Sequence, residues 1–153
     1  MKQLSRAFLL LLTVFLSPLS IHYSHSQNSE DVWTANVERQ LDRVSSNLRN
    51  VGFVKSDRTY VDSINQGYQQ YIEVTLSAHT SYSFVGVCDQ DCSDLDLYLK
   101  DDAGNLVDQD TDPDDTPTVS VTPKYTGVFR LYVSMARCSS GPCRWGVGIY
   151  LHS

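Results

Sequence analysis

Two periodicities divide the chain. Between Ser29 and Asn50 the apolar residues Trp33, Val37, Leu41, Val44 and Leu48, continued by Val51, recur in steps of four and three. That spacing puts them on one stripe of an α-helix. Ser29 is placed to cap its start, and Glu30 and Asp31 stand where the helix dipole favours negative charge. Arg43 and Arg49 lie towards the other end, and Gly52 offers a stop. The stripe is expected to pack on the remainder of the chain, C-terminal to it. The alternative is a structural or assembly subunit that dimerises through this helix, but regular charge pairing beside the stripe is missing.

From Arg58 onwards the period drops to two. Ile72, Val74 and Leu76 alternate with Tyr71, Glu73 and Thr75; Leu95, Leu97 and Leu99 alternate with Asp94, Asp96 and Tyr98. Phe129, Leu131, Val133 and Met135 alternate with more polar neighbours, as do Trp145, Val147, Ile149 and Leu151 with Gly146, Gly148 and Tyr150. Such runs are strands with one buried face. Turn residues separate them at Asn65-Gln66-Gly67, Asp101 to Asn105, Asp112-Pro113-Asp114, Thr122-Pro123-Lys124 and Ser140-Gly141-Pro142. About eight short strands predict a mostly β fold, a jelly-roll-like antiparallel β-sandwich behind one amphipathic helix. If successive strands reverse direction, the loops 89–93, 110–116 and 138–143 meet at one end of the sandwich.

The first residues read as an export signal. Lys2 and Arg6 precede an apolar run of ten residues, Ala7 to Leu16, too short to span a hydrocarbon core of about 30 Å. Ser24-His25-Ser26 matches a signal-peptidase site. The expected organisation is a signal peptide over 1–26, the helix over 27–52 and the sandwich over 58–153. Removing Lys2 and Arg6 takes the net charge from -6 to -8. That acidity argues against nucleic acid and anionic membrane surfaces as partners, and no membrane insertion is expected after cleavage. The expected location is periplasmic or extracellular. Cys88, Cys92, Cys138 and Cys143 are an even set in an exported chain, which favours disulfides over zinc. Three pairings are open, and the local pairs Cys88–Cys92 and Cys138–Cys143 are preferred.

Several stretches resemble the bacterial pre-peptidase C-terminal (PPC) domain. They are Tyr71-Ile72-Glu73-Val74-Thr75-Leu76 with Ser81-Tyr82-Ser83-Phe84, then Asp94-Leu95-Asp96-Leu97-Tyr98-Leu99 with Asp101-Asp102-Ala103-Gly104-Asn105, and Tyr125-Thr126-Gly127-Val128-Phe129-Arg130-Leu131-Tyr132-Val133. The similarity begins near Arg58. It implies a β-sandwich with a binding or folding-support role, sometimes with calcium, and no catalysis. Two departures stand out: no enzyme domain accompanies the sandwich, and His79-Thr80 replaces the usual small residue and glycine.

Residues 89–115 hold 11 of the 18 acids and one base, Lys100. Calcium takes six to eight hard oxygens, so Asp94, Asp96, Asp110 and Asp112 are its candidate ligands, although no cofactor is required. Asp108-x-Asp110-x-Asp112 starts like an EF-hand loop, but Pro113 stands where its glycine belongs and Val119 where its glutamate belongs. The competing reading is an acidic rim whose aspartates hold turns. Catalysis is not expected, because only His79 and His152 outlast cleavage and no nucleophile motif occurs. Tyr71, Tyr98, Tyr132 and Tyr150 fall at outward positions, where they would either meet a ligand or lie under the helix; the helix is the preferred cover. The functional expectation is therefore an exported, non-catalytic accessory module presenting a disulfide-pinned acidic loop cluster to a protein or polysaccharide.

Overall fold

A computed structural model describes residues 29–152. The expected signal segment lies outside the described residues, as do the side chains of Ser29, Glu30 and Asp31. One helix, α1 (Ser29–Arg49), precedes eight strands: β1 (Phe53–Ile64), β2 (Gln69–Leu76), β3 (Tyr82–Cys88), β4 (Cys92–Lys100), β5 (Leu106–Asp110), β6 (Thr118–Val121), β7 (Gly127–Cys138) and β8 (Cys143–His152). They form two four-stranded sheets, ordered β1-β8-β3-β6 and β2-β7-β4-β5, with every pairing antiparallel. Apart from the β4–β5 hairpin, consecutive strands alternate between the sheets, in the jelly-roll manner.

The alternating residues fill the space between the sheets. Leu95, Leu97, Leu99, Leu131, Val133 and Met135 from one sheet meet Phe84, Val119, Trp145, Val147 and Ile149 from the other, all buried. The sandwich begins earlier than the periodicity indicated. β1 starts at Phe53, directly after Gly52, whose φ of 89° ends the helical stretch. A register shift between Lys55 and Thr59 interrupts its pairing with β8, so the alternation that marks a strand is lost there.

The helix lies on the outer face of the first sheet, against β1, β3 and β8. Val37 and Leu41 are fully buried on Val87, with Val44 and Val61 beside them. Close approach depends on Gly146, where a Cβ would collide with the Val37 side chain. Polar contacts set the helix register: Gln40 Nε2 donates to the Cys88 carbonyl at 2.7 Å, and the Tyr150 hydroxyl reaches the Leu41 carbonyl at 3.3 Å. The amphipathic stripe thus packs within the chain. Its last member, Val51, does not join the seam and is exposed.

Of the four outward tyrosines, α1 covers only Tyr150, which is buried and lies 3.3 Å from Ser45 Oγ. Burial raises the pKa of its hydroxyl, and the Ser45 contact partly opposes that shift. Tyr71, Tyr98 and Tyr132 belong to the second sheet, away from the helix. The expectation of a single cover for all four fails because most successive strands change sheet, so residues that share an alternation need not share a face.

Candidate functional site

The cysteines pair locally, Cys88 with Cys92 and Cys138 with Cys143. Each bridge also ties one sheet to the other, since Cys88 and Cys143 belong to the first sheet and Cys92 and Cys138 to the second. Cys92 faces Cys138 across the β4–β7 ladder, and Cys88 faces Trp145, two residues beyond Cys143, across β3–β8. The two disulfides and two ladders therefore close a circuit at one end. Such bonds belong to an oxidising, non-cytoplasmic setting. Among the described residues no helix is long and apolar enough to cross a membrane.

The three loops expected to share that end do so. Ser139 N and Oγ both donate to the Asp91 carbonyl, and Leu95 N donates to the Asp114 carbonyl. Buried Asp89 accepts from Asp91 N at 3.2 Å and from Arg144 N at 2.7 Å, so one carboxylate organises the first loop and anchors the start of β8. Asp114 accepts from Thr116 N at 2.8 Å within its own turn.

Asp108 and Asp110 have a different task. Asp110 accepts from Thr118 N and Asp108 from Ser120 N, both at 2.7 Å. These amides belong to β6, an edge strand of the opposite sheet. Two aspartates on β5 thereby close one side of the sandwich where no ladder crosses it. A carboxylate receiving an N–H bond is a charge-assisted acceptor, stronger than a neutral one.

The calcium candidates divide. Asp94 and Asp110 both act on Asp96 through their charge, whereas Asp112 is exposed on the turn and directs its backbone N–H to Asp110 Oδ1. Asp94 is 9% exposed, and its Oδ1 has no hydrogen-bond partner. Asp96 accepts from the Tyr98 hydroxyl at 3.4 Å. Burial, then the charge of Asp94, raises the Asp96 pKa above its usual 3.8, with a smaller push from Asp110. Among the described residues no three His, Cys, Asp or Glu side chains converge to hold a metal ion. What the acidic loops display is mainly carboxylates folded back onto backbone amides.

The histidines are set apart from these loops. His79 takes a left-handed conformation, φ 61°, in the turn after β2, and its N–H donates to the Pro123 carbonyl. His152 packs edge-on against Phe53 at 5.0 Å.

The exposed face of the second sheet carries the more ordered surface chemistry. Register places Tyr71 opposite Tyr132 and Tyr132 opposite Tyr98, giving a row across β2, β7 and β4. Gln69, Ser134 and Asp96 form a parallel row on one side; Glu73, Arg130 and Lys100 form another on the opposite side. The Tyr71 and Tyr132 rings are 5.4 Å apart at a tilt of 40°, and Lys100 Nζ sits 4.8 Å from the Tyr132 centroid. Arg130 Nε donates to Glu73 at 2.9 Å. Tyr71 remains 56% exposed. Burial, followed by the charge of Asp96, raises the Tyr98 pKa, so its hydroxyl stays protonated at neutral pH.

Alternation alone identified each tyrosine as outward. It could not show that three of them are register partners, because register between β2, β4 and β7 is a long-range property. No family model matches the chain, and no curated protein matches it.

Proposed function

We propose that this chain is an exported, non-catalytic binding module whose working surface is the tyrosine face of the second sheet. The observation that carries this reading is the cross-strand row Tyr71–Tyr132–Tyr98, with Tyr71 56% exposed, on the sheet opposite the one that receives α1. Exposed aromatics offer large contact area at low entropy cost, and a β-sheet holds them in fixed positions. Export is supported by the paired cysteines together with Lys2, Arg6 and the apolar run to Leu16. The resemblance to a PPC domain, carried by Asp94-Leu95-Asp96-Leu97-Tyr98-Leu99, supports an accessory role of this kind. The acidic end then acts as the brace that fixes the sandwich rather than as the contact surface.

The test compares the exported chain with its Tyr71→Ala/Tyr98→Ala/Tyr132→Ala variant for retention on washed envelope and extracellular material of the producing cells. The wild-type chain is expected to be retained and the folded variant released. Equal retention of both would remove the tyrosine face from the reading.

A further inference from the structure

The three-by-three grid on the second sheet has the symmetry of a particular ligand. Its middle row is aromatic, Tyr71–Tyr132–Tyr98, and both flanking rows are hydrogen-bonding side chains. A pyranose chain is built in the same way. Its ring faces are apolar C–H surfaces along the axis, and its hydroxyls project from both edges. Two strand spacings separate Tyr71 from Tyr98, about 10 Å, close to the length of a disaccharide. A protein interface would centre on a patch stripped of charge. Here Asp96, Lys100, Arg130 and Glu73 sit directly beside the aromatic row.

Charge narrows the class further. Within the grid Glu73 and Asp96 balance Arg130 and Lys100, and Glu73 is paired with Arg130. Neither an anionic nor a cationic chain gains from such a surface. The row also continues beyond β2. Tyr71 lines a cleft of about 430 Å³ between the β1 and β2 edges, shared with Tyr60, Asp62 and Gln69. In its lining the Gln70 amide accepts from Trp145 Nε1 at 3.0 Å and donates to Asp62 at 3.4 Å. Amides and carboxylates of this kind suit sugar hydroxyls, each of which both donates and accepts.

We infer that the grid and the adjoining cleft bind a neutral linear polysaccharide, laid across the strands along Tyr98, Tyr132 and Tyr71 with one end in the β1/β2 cleft. This assignment rests on the tyrosine face being the working surface. Affinity electrophoresis of the exported chain through gels containing hydroxyethylcellulose, galactomannan or a soluble chitin derivative, with polygalacturonate as an anionic comparison, tests it. At least one neutral probe should retard the protein, equally at low and high salt. Tyr71→Ala and Tyr132→Ala should each weaken that retardation by about tenfold, the scale of a buried aromatic anchor, while Tyr150→Phe on the opposite sheet leaves it unchanged. The assignment is overturned if no neutral probe binds, if only polygalacturonate binds and salt abolishes it, or if folded Tyr132→Ala binds as wild type. Tyrosine-dependent retention on cell material without binding to any neutral probe would overturn the glycan alone and leave the binding face standing. Tyrosine-independent retention would overturn both.

Discussion

Cys92 and Cys138 are register partners across the β4–β7 ladder, so the second-sheet ends of the two disulfides stand side by side. Cystines that looked like two separate loop pins are neighbouring cross-links between the same pair of sheets.

The first prediction comes from their short, non-overlapping loops, with separations of four and five residues. Restriction of the unfolded chain then adds, at about 2 kcal/mol per bridge. Cys88→Ala/Cys92→Ala and Cys138→Ala/Cys143→Ala should each lower denaturant-derived stability by that amount, and all four changes together by about 4 kcal/mol. A combined loss outside the sum by more than about 0.5 kcal/mol would mean that the bridges couple through native packing.

Asp108 and Asp110 should behave as a clamp. Losing one charge-assisted bond to a β6 amide costs about 1 kcal/mol at this partly exposed edge. Asp108→Ala/Asp110→Ala should therefore lose about 2 kcal/mol in urea unfolding. Asn at both positions retains an acceptor oxygen and should lose less. Equal losses for Ala and Asn would remove the hydrogen bonds as the cause.

Gly146 tests the helix seat. An added Cβ meets Val37, so Gly146→Ala must push α1 outward, at a cost of about 1–3 kcal/mol. Tyr150→Phe deletes the hydroxyl that touches Ser45 and Leu41 and should cost about 1 kcal/mol without moving the helix. Fluorescence of Trp33, near the start of α1, should respond to the first change and not to the second.

Asp96 gives a pH signature. Its folded pKa lies above 3.8, so the folded state holds that proton more tightly than the unfolded chain does. The contribution to stability is complete below pH 3.8 and is lost as pH rises through the raised value. Asp96→Asn should therefore melt higher than wild type at pH 7, and the gap should close as pH falls below 3.8. A gap that widens on acidification would reverse the sign and refute the raised pKa, to which burial contributes most and the charge of Asp94 next.

The fold was readable because its core obeys period two nearly everywhere. Leu95-Leu97-Leu99 and Phe129-Leu131-Val133-Met135 show alternation directly, and reversal of successive strands was enough to gather three loops at one end. The chemistry was harder to read. Asp108 and Asp110 resemble the opening of a cation loop because spacing records residue types, not partners, and the amides of Thr118 and Ser120 come from a strand beyond an intervening loop. The tyrosine grid was hidden for a related reason. Alternation gives a face within one strand, whereas a binding row is built from register among three.

The helix differs from the strands in how it is attached. The described contacts that seat α1 are side-chain ones: the Val37–Leu41 seam, the Gln40 and Tyr150 hydrogen bonds, and Lys55 with Asp42 at 3.6 Å. The strands share ladders, and two disulfides brace their common end. On heating, or under a protease, α1 is therefore expected to let go first while the sandwich stays folded, which limited proteolysis would show as early cleavage before β1. That partial opening bares Val87, Tyr150 and the glycine track of β8, a sticky strip on an otherwise intact molecule. A substitution that tightens the Val37–Leu41 seam is then expected to slow aggregation on storage, followed by light scattering, without raising the unfolding midpoint of the sandwich.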